Sequence, residues 1–236
     1  KLNDIINNNH IHIFSTNFAL YGDMSMRVMN TLSSIIPQLE IYSIDEAFLD
    51  LSDFKYSKLL EIGYFIRKKI LKDVGIPVSV GIGRTKTLSK IAGDIAKKSK
   101  KTEGVFILHN YLEDAVLNKF PIKKIWGIGN RLNIFLNKYE IRSAKNLRDV
   151  ELKWIQKKTN ITVKKMVEEL RGVCCMNLEL EFKNKKSICT SRTFGKMVQN
   201  QNEIASSLAM YTARCAEKLR SQNSYATIAQ IFILTN

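Results

Sequence analysis

One segment, Ile41-Tyr42-Ser43-Ile44-Asp45-Glu46-Ala47-Phe48-Leu49-Asp50-Leu51, constrains this chain more than any other. It is apolar, aromatic or β-branched almost throughout, the composition of strands that pack in a core. Two adjacent carboxylates, Asp45 and Glu46, interrupt it, and no Lys or Arg lies inside it. An ionised carboxylate is costly to bury without a cation, so the pair calls for a partner from elsewhere in the fold or for a metal ion. On a straight strand the two side chains point to opposite faces. If Leu39 to Ser43 and Ala47 to Leu51 are hairpin arms, the acids sit at or just past the tip, where twist brings both to one ion. Taken alone, the pair reads more simply as a turn aspartate beside a solvated edge glutamate.

The rest of the composition narrows the function classes. A chain of 236 residues has room for one large domain or two to three small ones. No apolar run approaches the roughly 20 residues that span a membrane, and no secretory signal opens the sequence. Cys174, Cys175, Cys189 and Cys215 lack paired metal-ligand spacing and read as reduced thiols of a cytoplasmic protein. The net charge of +15 and the pI near 9.6 imply a polyanionic partner, met by several surfaces because lysine is spread along the chain.

Periodicity gives a strand at Ile11 to Phe14, a turn at Ser15 to Asn17 and a helix from Asp23 to Ile35, ended by Pro37. The acidic hairpin follows, then a helix from Tyr56 to Lys72 stopped by Gly75 and Pro77. Next come a strand at Val78 to Ile82, a helix from Thr85 to Lys98 and a strand at Gly104 to Leu108. This order predicts an α+β layer with helices over a mostly antiparallel sheet. Short helices then follow at Tyr111 to Asn118, Arg131 to Lys138, Ala144 to Asp149 and Val163 to Arg171. Beyond a polar linker, a strand at Ile188 to Val198, a helix from Glu203 to Ser221 and a strand at Tyr225 to Leu234 predict the βαβ start of a third domain.

Three basic constellations accompany the acids. Gly83-Arg84-Thr85-Lys86 opens a helix and is not a phosphate loop of the Walker type. Its N-terminus with Arg84 and Lys86 suits phosphate, while Lys97, Lys98 and Lys100 at the far end equally complement a helix C-terminus. In Pro121 to Arg131, Gly127 and Gly129 lie between short helices with Lys123, Lys124 and Arg131 alongside. That favours backbone N–H groups holding a DNA phosphate over an ordinary interhelical turn. Lys185 and Lys186 precede Ser191-Arg192-Thr193-Phe194-Gly195, either a DNA-tracking strand face or a charged edge. Trp126 and Trp154 read as packing residues, and His10, His12 and His109 are too scattered for a metal cluster.

Tyr42 to Leu51 resembles the palm signature of the Y-family (translesion) DNA polymerases. The resemblance continues through Gly75 to Ile82, Thr85 to Ala92, Trp126 to Gly129 and Ser191 to Gly195, in the family's order. Tyr21 to Ser25 and Arg171 to Cys175 are similar to the UmuC subgroup of SOS mutagenesis. The resemblance implies residues 1–108 as palm, 109–174 as a helix-hairpin-helix thumb, 175–186 as linker and 187–236 as a truncated little finger. It implies two Mg²⁺ ions, bridged by Asp45, with Glu46 on the ion that activates the primer 3′-hydroxyl. Lys97 would contact the triphosphate of the incoming dNTP. Arg84, Lys86, Lys123, Lys124, Gly127, Gly129, Arg131 and Arg192 would contact primer–template DNA. A UmuD′-type subunit and a sliding clamp are the implied protein partners. A third metal-ligating aspartate, the fingers and the steric gate are expected ahead of Lys1, so a fragment inactive by itself is expected. Two alternatives stand beside this reading: a non-catalytic DNA-binding accessory relative and a palm-type nucleotidyl cyclase.

Overall fold

Asn17 starts the first helix by accepting the Leu20 N–H on its side chain at 3.0 Å, and Pro37 stops it by forcing Ile36 into extended backbone. In the computed structural model, which describes residues 11–181 and 184–235, this helix is α1, Phe18–Ile35. The chain divides into two units, residues 1–180 and 181–236.

In the first unit α1 leads into a hairpin of β1 (Leu39–Ile41) and β2 (Ala47–Leu49), antiparallel, with Leu39 opposite Leu49 and Ile41 opposite Ala47. Helix α2 (Leu59–Val74) ends on Gly75, whose φ of 79° is the left-handed cap that glycine adopts without strain. Met29, Leu32 and Ile36 of the α1 segment bury against Ile66 and Ile70 of α2, with Leu39, Ala47 and Leu49 packed beside them. β3 (Val80–Ile82) and β4 (Val105–Ile107) pair in parallel, Val80 opposite Val105, and α3 (Lys86–Lys98) makes the crossover. The mostly antiparallel sheet predicted from sequence is thus met only at β1–β2. A helix between two strands returns the chain in the same direction, which dictates parallel pairing.

Helix α3 is the keystone. Thr85 caps it by accepting the Leu88 N–H at 3.2 Å. On one side it lies so close to β3 that a Cβ on Gly81 would stand 2.0 Å from the Gly93 amide nitrogen. Gly81→Ala therefore forces α3 off the sheet, and an unfolding free energy lowered by about 2–3 kcal/mol is expected from urea titrations; an unchanged value would mean that the helix shifts freely. Elsewhere Leu88, Ile91 and Ala92 of α3 enter a second core built by α4 (Asn110–Lys119), α5 (Asn130–Asn137), α6 (Ala144–Arg148), α7 (Leu152–Lys158) and α8 (Ile161–Leu170). The expected boundary between residues 108 and 109 falls inside this unit. Of these helices, only α7 is absent from the sequence-based reading.

Two further expectations fail. Residues 11–14 form no strand and are exposed. In the second unit α9 (Gln201–Ser221) forms, capped by Asn200, but residues 188–198 and 225–234 form no ladder. Ile228 and Leu234 stay 86% and 89% exposed. A strand pattern becomes a strand only when a neighbour supplies the other half of each backbone hydrogen bond.

Candidate active site and nucleic-acid interface

The hairpin tip is closed by two backbone bonds, from the N–H of Tyr42 and of Ser43 to the Glu46 carbonyl, each 3.0 Å. That closure sets Asp45 and Glu46 side by side beyond the ladder, and both are exposed. Burial of the acids, expected from the apolar segment, is therefore corrected: the apolar residues pack below while the tip projects. The acidic side chain of the hairpin that is buried is Glu40, on β1. Ser43 donates its hydroxyl to Asp45 Oδ1 at 2.7 Å, and Lys90 from α3 donates to Glu46 Oε2 at 2.6 Å. Among the described residues the second oxygen of each carboxylate makes no such bond. Asp50, further along, accepts from the Ser52 hydroxyl and N–H, which hold its carboxyl below the usual carboxylate range.

Aromatic rings surround this tip. Tyr42, Phe48 and Trp126 pack at centroid distances of 5.2–5.7 Å, and the Trp126 indole N–H donates to the Tyr42 hydroxyl at 2.8 Å. The Lys90 ammonium stands 5.0 Å from the Tyr42 ring centre and 5.6 Å from that of Trp126. Trp126 is thus a packing residue, as its sequence context predicts, and it ties the acidic hairpin to the glycine turn that follows it.

In that turn Gly127 has φ of 86°, and a Cβ there would press on the Met166 methyl at 2.7 Å, so the fold itself requires glycine. Gly129 differs. It is the N-cap of α5 with an ordinary φ of −77°, and a Cβ would meet nothing within 4 Å. Lys123, Lys124 and Arg131 are exposed around the same turn. The Lys98 ammonium approaches that of Lys124 and pushes it below the usual lysine range. Lys97 is exposed on the last turn of α3.

Two of the expected DNA-contacting residues have internal partners. Lys86 is half-buried in an ion pair with the buried Glu40 and donates to the Asn177 carbonyl at 2.8 Å. Arg84 grips Glu113 through three bonds of 2.9–3.1 Å and covers Gly172 so closely that a Cβ there would lie 2.4 Å from the guanidinium. In the second unit Arg192 is exposed and donates to the Ser191 carbonyl at 2.7 Å.

Comparison with known proteins agrees with this geometry. Residues 3–94 match the sequence model of the impB/mucB/samB family and residues 185–236 match that of its C-terminal domain, together more than half of the chain. The chain belongs to the impB/mucB/samB family. Protein UmuC of Salmonella typhimurium is 40% identical over 226 residues, which are 94% of this chain and 54% of that protein. Among solved structures, a Y-family DNA polymerase chimera has a TM-score of 0.69 at 26% identity, covering 86% of this chain and 58% of the other. An error-prone polymerase of the DinB family from Sulfolobus solfataricus gives 0.59 at 26% identity, covering 87% and 62%. The chain spans about half the length of the curated relatives it matches. Its α+β fold is that of the Y-family polymerases.

Within this impB/mucB/samB chain, four residues that shape the site escape sequence reasoning: Glu40, Lys90, Glu113 and Glu169. Each acts on a partner 29 to 84 residues away. Lys90 alone had a local signal, one helical turn beyond Lys86 on the same helix. Among the described residues no three His, Cys, Asp or Glu side chains cluster as a complete metal site.

Proposed function

We propose that this chain carries the palm, the thumb and the start of the little finger of a translesion DNA polymerase. The reaction is nucleotidyl transfer from a dNTP to a primer 3′-hydroxyl on primer–template DNA. The observation that carries the reading is the exposed Asp45–Glu46 pair, tied through Tyr42 and Trp126 to the basic glycine turn of residues 123–131.

The donor set fits Mg²⁺. Two exposed carboxylates, each with an oxygen to spare, supply the hard ligands this ion prefers, and it keeps waters and substrate phosphates for the remainder. When bound, two such ions stabilise the attacking and leaving oxygens of an in-line displacement. Asp45 is held to its place by Ser43, and Glu46 by Lys90. Lys97 draws the triphosphate to the end of α3. Lys123, Lys124, Arg131 and the open backbone at Gly129 seat a DNA phosphate, positioning the duplex without reading its bases. In the second unit, taken by itself, exposed Arg192 is a further phosphate-binding candidate. Arg84 and Lys86 support the frame through Glu113 and Glu40. A UmuD′-type subunit, a sliding clamp and a cytoplasmic, nucleoid-bound location complete the proposal. No described helix is long and apolar enough to cross a membrane.

Primer extension by the full-length protein with and without a divalent ion tests the reading. A nucleotidyl cyclase makes product without DNA, and an accessory relative extends nothing. Separately, Lys123→Glu with Arg131→Glu is expected to weaken duplex binding at least tenfold and to reduce the slope of log affinity against log salt by about two, one phosphate contact per residue. An unchanged slope in a fluorescence-anisotropy titration removes the glycine turn from the interface.

A further inference from the structure

Lys90 is assigned no role by the reading above beyond a hydrogen bond, yet its surroundings are built. Its ammonium meets the Glu46 carboxylate at 2.6 Å and the rings of Tyr42 and Trp126 at 5.0 and 5.6 Å. The lysine side chain is only 21% exposed, whereas Glu46 is 45% exposed. An exposed acid reached by a sheltered cation is unlike an ordinary surface pair, in which both partners are solvated. The ammonium lies over both rings at the same time as it meets Glu46, and the indole–hydroxyl bond between Trp126 and Tyr42 keeps that aromatic seat in shape.

We propose that Lys90 is a stand-in cation. It holds Glu46 in position while the hairpin carries no metal, then yields the carboxylate to a divalent ion and stays seated on Tyr42 and Trp126. Two neighbouring carboxylates repel each other, and one lysine offsets half of that charge. A divalent ion attracts the same oxygens about twice as strongly at equal distance, so the exchange runs toward the ion. Because Lys90 keeps its aromatic neighbours, the carboxylate stays oriented instead of becoming a free rotor. The turn beginning at Trp126 feels the same event, since the indole is one wall of that seat. This inference rests on the metal-binding role given to Asp45 and Glu46 above.

The test uses the full-length protein without DNA or nucleotide. Mg²⁺ is titrated while tryptophan fluorescence is followed, and Mn²⁺ binding is measured separately by electron paramagnetic resonance. Wild type is expected to give a saturable Mg²⁺-dependent change that Trp126→Phe removes. Lys90→Met is expected to abolish that change and to tighten Mn²⁺ binding about two- to fivefold, because the competing ion pair is gone. Lys90→Arg, which keeps charge and ring contact, should restore the fluorescence response. An intact response in Lys90→Met, or weaker Mn²⁺ binding by it, overturns the stand-in role. If instead Glu46→Ala binds Mn²⁺ as wild type does, the metal assignment of the hairpin itself fails. The two failures are therefore distinguishable.

Discussion

Asp45→Ala or Glu46→Ala in the full-length protein is expected to lower single-turnover primer extension at least a thousandfold while duplex binding changes less than about threefold. The size follows from the chemistry assigned to the pair. Ions held by Asp45 and Glu46 would stabilise charge on both the attacking and the leaving oxygen, a contribution of several kcal/mol. The selectivity follows from the structure. Both side chains are exposed, so alanine opens no cavity and strands no buried polar group. The hairpin is closed by the Glu46 backbone carbonyl, not by its carboxylate, so the tip survives either change. Equal losses in extension and in gel-shift affinity would make the pair a DNA-facing feature and not a metal site.

The hairpin was legible because a β-branched and aromatic run broken by two acids has few alternatives. What composition does not reveal is how far the tip stands clear of the residues beneath it, and so the pair's burial was misjudged. Most helices were legible to within a few residues because caps such as Thr85 and Gly75 act on neighbours no more than four positions away. Helix α1, however, begins at Phe18, five residues ahead of the Asp23 read from periodicity, because its Asn17 cap reads locally as part of a turn. Seven-residue α7 offers less than two turns of periodicity and passed unnoticed. Long-range partners were illegible in principle. Arg84 and Lys86 announce a basic helix start, but nothing in a single sequence says that Glu113 and Glu40 will claim them. The terminal strands failed for a related reason. Apolar alternation at residues 225–234 states a preference, whereas a strand is a property of two segments.

Glu169 shows what such an invisible partner contributes. It is wholly buried on α8 and has no ion pair among the described residues; its carboxylate is satisfied by backbone instead. Oε1 accepts the Cys175 and Met176 N–H groups at 2.8 and 3.2 Å, and Oε2 accepts the Thr87 N–H at 3.1 Å in the first turn of α3. Its own carbonyl accepts the Thr85 hydroxyl at 2.9 Å. One side chain therefore fixes the start of α3, the end of α8 and the segment after it, with negative charge set at a helix N-terminus where it is favoured. Glu169→Ala leaves three N–H groups without their acceptor, at about 1–3 kcal/mol for each that stays buried. A loss of about 3–5 kcal/mol is expected, enough to unfold a marginal domain at 37 °C. Glu169→Gln keeps one acceptor but turns an amide N–H toward a donor, so roughly half that loss is expected. Both tryptophans of the chain, Trp126 and Trp154, lie in the first unit, so urea unfolding followed by their fluorescence reads the effect where it arises. If Glu169→Ala unfolds within about 1 kcal/mol of wild type, water must replace the carboxylate, and α3 owes its position to the glycine contact with β3 and to its buried Leu88, Ile91 and Ala92.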